Sequence, residues 1–146
     1  MTLLRPAIDA DAPALGDILQ DWIETTPWMP VLHSRAGTQS FLGRLIRETR
    51  VTVAVSSSAV PLGFLARDGS DIPALYLAAD ARGQGIGSAL LEVAHAESSS
   101  LELWVFQANA GARRFYARHG FRELRRTDGS GNDEKLPDIR LEWSRG

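Results

Sequence analysis

The spacing of apolar positions changes several times along the chain, and each change predicts an element. Leu3-Leu4-Arg5 reads as a short first strand, closed by Pro6. Asp9 or Asp11 stands where a helix N-cap is wanted, and Pro13 is tolerated in a first helical turn. Leu15, Ile18, Leu19, Trp22 and Ile23 then follow the i, i+3, i+4, i+7, i+8 spacing of a core-facing helix. Thr26-Pro27-Trp28-Met29-Pro30 ends that helix, because each proline steers the residue before it away from helical backbone. Ser34 predicts the cap of a second helix, with Phe41, Leu42, Leu45 and Ile46 on its buried side.

After Arg50 the period becomes two. Val51, Val53 and Val55 alternate with smaller or polar residues and predict a strand, and Leu62–Arg67 returns as its antiparallel partner beyond Ser57-Ser58-Ala59. Asp68-Gly69-Ser70 is a second turn, leading to a strand over Ile72–Ala78. A glycine-rich turn follows, then a helix with Ile86, Ala89, Leu90, Val93 and Ala94 on one face. Leu101–Phe106 is apolar on both faces apart from Glu102, the pattern of a central strand. Asn109 predicts the cap of a last helix with Ala112, Phe115, Tyr116 and His119 as its stripe, stopped by Gly120 and the apolar Phe121. Arg122–Arg126 and Ile139–Trp143 close the chain as two strands. The order β-α-α-β-β-β-α-β-α-β-β contains no repeat and no linker, so residues 1–146 are expected to form a single domain.

Composition narrows the chemistry. The 146 residues are 44% hydrophobic and 23% charged, with a net charge of −2. That is the balance of an ordinary globular domain, and it gives little support to nucleic-acid binding, which needs a strongly basic face. No cysteine is present, which excludes disulfides, thiolate metal sites and a cysteine nucleophile. Three scattered histidines (His33, His95, His119) lack metal-ligand spacing, so no metal is expected. No apolar run suits a membrane span, and Asp9, Asp11 and Asp17 stand where a signal peptide would be apolar, so a cytoplasmic location without membrane partners is expected. Fifteen of the sixteen basic residues are Arg. Their local distribution is uneven: Arg113–Arg126 holds six Arg and one Glu, whereas Asp128–Asp138 has a net charge of −3.

Gly83, Gly85 and Gly87 stand where a strand gives way to a helix. A helix N-terminus carries unsatisfied N–H groups and partial positive charge, and alternate glycines let a phosphate approach the backbone. Arg82 adds a charged donor. The same glycines also serve a tight turn with no ligand at all, and spacing alone leaves both readings open. Two phosphate motifs do not fit. A P-loop needs Gly-Lys-Ser/Thr, and the dinucleotide fingerprint needs its third glycine one residue later than Gly87.

The segment Arg82-Gly83-Gln84-Gly85-Ile86-Gly87 resembles the R/Q-x-x-G-x-G/A signature of the GNAT superfamily of N-acetyltransferases. Asn109-Ala110-Gly111-Ala112-Arg113-Arg114-Phe115-Tyr116-Ala117-Arg118-His119-Gly120-Phe121 is similar to its N-x-x-A-x-x-x-Y-x-x-x-G-F block. The likeness covers nearly the whole chain and is weakest over residues 11–50 and 127–138. Ala79 departs from the proline that many members carry. The resemblance implies an α/β (α+β) fold: one GNAT-like domain with a mixed sheet of about seven strands, about four flanking helices and splayed central strands.

It also implies acetyl-CoA as co-substrate. Arg82, Gly83, Gln84, Gly85, Ile86, Gly87 and Ser88 would hold its pyrophosphate, and Leu77 and Ala79 would offer backbone groups to the pantetheine arm. Asn109 would bond that arm, or else simply cap its helix. Arg113 and Arg114 would reach the 3′-phosphate, or else remain solvated. Tyr116 matches the tyrosine that lies beside the departing sulfur. A phenol of pKa ~10 giving its proton to an alkyl thiolate of ~8.5 runs uphill by roughly 2 kcal/mol, so a hydrogen bond is as natural a role as full proton donation.

The base is less marked. An alkylammonium of pKa ~10.4 is about a thousandth neutral near physiological pH, a deficit of ~4 kcal/mol for direct attack. Asp71, Glu102, His33 or a chain of waters would have to take that proton. The acceptor region falls to the segments 22–33 and 127–138. Trp22 lies on the helix stripe and reads as core, while Trp28 and His33 lie off it and read as pocket residues. Without cysteine, direct attack by a small-molecule or peptide amine in a ternary complex is expected, rather than an acetyl-cysteine intermediate. The rival reading is a non-catalytic acyl-CoA sensor of the same fold. Homodimers are common among the proteins it resembles, which makes a second copy an implied partner.

Overall fold

In the computed structural model, which describes residues 2–145, period-two segments become one seven-stranded sheet and period-3.6 segments become four helices packed on it. The strands are β1 (Leu3–Pro6), β2 (Arg50–Val55), β3 (Pro61–Asp68), β4 (Asp71–Leu77), β5 (Ser100–Phe106), β6 (Arg122–Thr127) and β7 (Asp138–Ser144). The helices are α1 (Ala12–Thr25), α2 (Arg35–Glu48), α3 (Ile86–Glu97) and α4 (Ala110–Arg118), with single 3-10 turns at Asp9–Asp11 and Ala79–Ala81. The sheet order is β1-β2-β3-β4-β5-β7-β6. Neighbours are antiparallel except β4 and β5, which run parallel with α3 as the crossover. Mixed sheet, strand number and helix number agree with the sequence expectation.

Two cores result from this layering. Leu15, Leu19, Leu42 and Leu45 of α1 and α2 pack on Val51, Val53 and Phe64. On the opposite face Ile86, Leu90, Leu91 and Ala94 of α3, with Tyr116 of α4, pack on Leu65, Ile72, Leu101, Leu103, Ile139 and Leu141. The second core spans β3 to β7. The first covers only β2 to β4, so the same face of β5, β7 and β6 carries no helix.

Several expectations need correction. β5 is apolar on one buried face only, because Trp104 lies on the uncovered side and is 46% exposed. Phe41 is not buried; it stands at the surface beside the Arg44 guanidinium, 5.8 Å from its ring. Asp11 precedes α1 but makes no side-chain cap to it. Its carboxylate instead accepts from Arg5 at 2.8 and 3.0 Å and from the Ile8 N–H at 2.8 Å, which holds its pKa below the ordinary carboxylate value mainly through Arg5. Only Tyr116 of the predicted α4 stripe is fully buried. The Ser34 cap (3.0 Å to Gly37 N–H), the Asn109 cap and the left-handed stop at Gly120 (φ 85°) form as read.

Candidate active site

β4 and β5 touch at a single registered pair, Asp71 with Glu102, and separate beyond it. Arg140 of β7 fastens the closed end, donating to Asp71 at 2.8 Å and to Glu102 at 3.0 Å. Past that clamp the two strands splay, and a cleft of about 430 Å³ opens between β4, α1 and α4. Leu77, Arg82, Gly87, Asn109 and Tyr116 line it, together with Trp22 and Tyr76.

The exposed edge of β4 follows from strand alternation. The Ala78 N–H donates to Leu62 O at 2.8 Å, toward β3, so the N–H and C=O of Leu77 face the opposite way, into the gap. The Leu77 carbonyl accordingly meets Arg82, at 3.4 Å, instead of β3.

The chain then turns through Ala79–Ala81, anchored by the buried Ala81, and enters α3. Gly83 and Gly85 have φ of 75° and 81°, and the space where their Cβ atoms would stand is open. Side chains are therefore disfavoured there by backbone conformation and not by crowding. No side chain caps α3, so its first-turn amides are free of competition from a capping residue.

The expected site residues divide. Arg82, Gly83, Gln84 and Gly85 are exposed at the turn, with Gln84 bonded back to the Asp80 carbonyl at 2.9 Å. Ile86 is buried in the core and offers only its backbone. Ser88 is engaged by His119, its Oγ lying 2.9 Å from Nε2. Ala79 faces the neighbouring depression beside α1. Asn109 joins both of its alternatives: its side chain accepts from the Ala112 N–H at 3.1 Å while the residue lines the cleft. Arg113 donates to the Gln107 carbonyl at 3.2 Å and, with Arg114, lines a depression beside β6 instead of the cleft.

Tyr116 lies at the floor of the splay. Burial raises its phenol well above the ordinary value, and the neighbouring Tyr76 adds to the rise. Tyr76 is pushed up to about 12, by burial and by the charge of Glu134. Tyr76 was not singled out in the sequence, although its place in β4 next to Leu77 was the available signal.

On the acceptor side, Trp28 packs edge-on against both Trp22 (5.9 Å) and Phe106 (5.8 Å), and Trp22 also meets Tyr76 at 5.2 Å. Trp22 is thus both core and cleft wall. His33 is exposed and away from the cleft; only its backbone carbonyl is used, by Gln20 at 3.1 Å. Asp71 and Glu102 are committed to Arg140. None of these three is placed to accept a proton in the splay. Among the described residues no three His, Asp or Glu side chains gather as metal ligands, and no helix is long and apolar enough to cross a membrane.

Comparison with known proteins adds a family. The family model described as "Acetyltransferase (GNAT) domain" matches residues 47–123. A peptidyl-lysine N-acetyltransferase, YjaB, of Salmonella typhimurium is 33% identical over 94 residues, a stretch that is 64% of this chain and 65% of that protein. The solution structure of apo YjaB from Escherichia coli superposes with a TM-score of 0.81 at 24% identity, covering 98% of this chain and 97% of that one. A ribosomal-protein-alanine N-acetyltransferase from Brucella melitensis gives 0.76 at 24% identity, over 97% and 99% of the two chains.

Proposed function

This chain belongs to the GNAT acetyltransferase family, whose general reaction moves an acetyl group from acetyl-CoA to an amine, and on that premise we propose direct transfer within a ternary complex. The observation that carries this reading is the splay itself. A parallel strand pair joined only at Asp71 and Glu102 leaves the Leu77 backbone facing a cleft that ends at an uncapped helix N-terminus.

The residues fit the co-substrate by shape and charge. The open turn at Gly83 and Gly85, the first-turn amides of α3 and the Arg82 guanidinium suit a pyrophosphate. The Leu77 C=O suits an amide N–H of an extended arm, as another strand would. When bound, acetyl-CoA supplies an activated acyl carbon and a thiolate leaving group. The Leu77 N–H, facing away from β3, suits negative charge developing on the acyl oxygen. The Tyr116 phenol, kept neutral by burial, donates a hydrogen bond toward the sulfur side of the cleft. Since the strand carboxylates are held by Arg140, the proton lost by the amine leaves through water.

The acceptor class follows the relatives, which include a peptidyl-lysine acetyltransferase: an amine, free or on a peptide. A sensor that binds acyl-CoA without turnover is the second reading, favoured by the commitment of Asp71 and Glu102 to Arg140.

Thermal shifts with acetyl-CoA, CoA, NAD and ATP test the binding step. At a hundredfold the dissociation constant a ligand adds ~2.7 kcal/mol of stability. Stabilisation by acetyl-CoA and CoA but not by NAD or ATP is expected; the reverse order rejects the family chemistry for this cleft. Thiol release over a panel of amines then separates enzyme from sensor.

A further inference from the structure

Three cavities stand in a row through the sheet. The cofactor cleft shares Trp22, Tyr76, Asn109 and Tyr116 with a constriction of only about 80 Å³ inside the splay. That constriction in turn shares Trp104, Val105 and Phe106 with a third cavity of about 540 Å³, on the face of β5 and β7 that no helix covers. The loop between β6 and β7 forms the far wall of this third cavity.

Its two carboxylates differ. Asp138 is buried and accepts from Thr127 and from Asn132. Glu134 is half-buried and has neither a hydrogen bond nor an ion pair among the described residues. Lys135, its neighbour, is turned to the Ser130 carbonyl at 2.9 Å. The two cations bordering the face, Arg125 and Arg140, lie over Trp104 at 5.3 and 5.4 Å, and Arg140 is further held by Asp71 and Glu102. Glu134 lines the same cavity as Trp104 and Phe106.

We propose that Glu134, in this cavity on the acceptor side of the splay, is the residue that reads the acceptor's ammonium, and that the constriction admits only an amine on an unbranched alkyl stem. The assignment rests on the acetyl-transfer reading above and deepens it. A bare carboxylate beside the faces of Trp104 and Phe106 suits an alkylammonium, whose charge is drawn by the carboxylate and whose methylenes lie on the rings. A passage with room for a few water-sized groups passes a methylene chain and rejects a branch at the carbon bearing nitrogen. A lysine side chain meets both conditions; the α-amine of a peptide, on a branched carbon, does not.

The test has a binding arm and a turnover arm. CoA-loaded protein is titrated calorimetrically with n-butylammonium, and Glu134→Gln is expected to weaken binding roughly ten- to a hundredfold. In turnover, the ratio of KM for n-butylamine to KM for an O-alkylhydroxylamine, uncharged at neutral pH, rises by a similar factor in the variant. Equal n-butylammonium affinities in the two proteins overturn the role of Glu134. Equal kcat/KM of the wild type for n-butylamine and sec-butylamine overturns the width filter. Acetyl-CoA binding measured alongside keeps the two proposals apart: a wild type that fails to bind acetyl-CoA rejects the transfer reading, whereas intact acetyl-CoA binding with unaltered amine affinity rejects only this assignment.

Discussion

Both tyrosines of the chain, Tyr76 and Tyr116, line the cleft, which makes phenol ionisation a direct probe of it. Burial favours the neutral form of each, so their folded-state values stand above the ordinary 10.0. By linkage, that preference stabilises the fold at every pH below 10.0 and is lost as pH climbs through the raised values, the first at about 12 for Tyr76. An alkaline absorbance titration should show no native tyrosinate near 10.0, in contrast to the unfolded chain; a phenol titrating there would mean the cleft is wet. The same shift bears on catalysis. A phenol made less acidic is a poor source of a full proton but a sound hydrogen-bond donor to a developing thiolate. Tyr116→Phe is therefore expected to lower kcat by ~10–10²-fold, the worth of a hydrogen bond to a charged group. A loss of ~10²–10⁴ would mark general acid catalysis instead. Tyr116 was legible in the sequence because its helix motif surrounds it. Tyr76 is not singled out by the sequence, since its meeting with Tyr116 depends on elements distant in the chain, whereas Glu134 falls within the acidic segment that the sequence assigns to the acceptor region.

At the scale of elements, legibility follows the range of the forces involved. Every predicted strand and helix forms, because period and capping are local: Ser34, Asn109 and Gly120 act on backbone groups within a few residues. Which face an element buries is settled by its neighbours. β5 reads as doubly buried, yet Trp104 is open, because α1 and α2 stop at β4 and leave the next strands uncovered on that face. Phe41 fits the α2 stripe by spacing but falls beyond the edge of what α1 and the sheet cover. Asp11 has the residue type and position of an N-cap, but the Arg5 guanidinium competes for it and wins with two hydrogen bonds. The glycine turn lies at the opposite extreme. Its positive φ angles and uncapped helix start lie within six consecutive residues, and so the open turn at the start of α3 is legible before any tertiary structure. The acceptor side was less so, and His33, expected as a pocket residue, points elsewhere because Gln20 holds its backbone at the surface.

Across the whole molecule, the sheet is two halves joined at β4 and β5, and function needs that join to be partial. The α3-side core runs across both halves and holds them as one body. At the sheet itself the link is narrow: the Glu102 N–H donates to Ser70 O at 2.8 Å, and Arg140 bridges Asp71 and Glu102. Arg140 reaches both carboxylates because β7 inserts between β5 and β6, a chain order that local pattern does not reveal. The clamp fixes where the strands stop pairing and therefore where the cleft begins. Arg140 is only 14% exposed, but its partners are 43% and 37% exposed, so solvent screens much of the interaction. Arg140→Met is accordingly expected to cost about 1 kcal/mol, not the larger loss of a buried pair. The local consequence should be larger than the global one. Hydrogen exchange at the Glu102 amide should accelerate several-fold while the amides of β2 and β3, under the α1 and α2 core, keep their protection. Unchanged exchange at Glu102 would show that the two cores alone set the splay. Acceleration spread evenly over the sheet would show that the halves do not open separately, and the cleft would then be a rigid slot instead of a hinge held shut at one end.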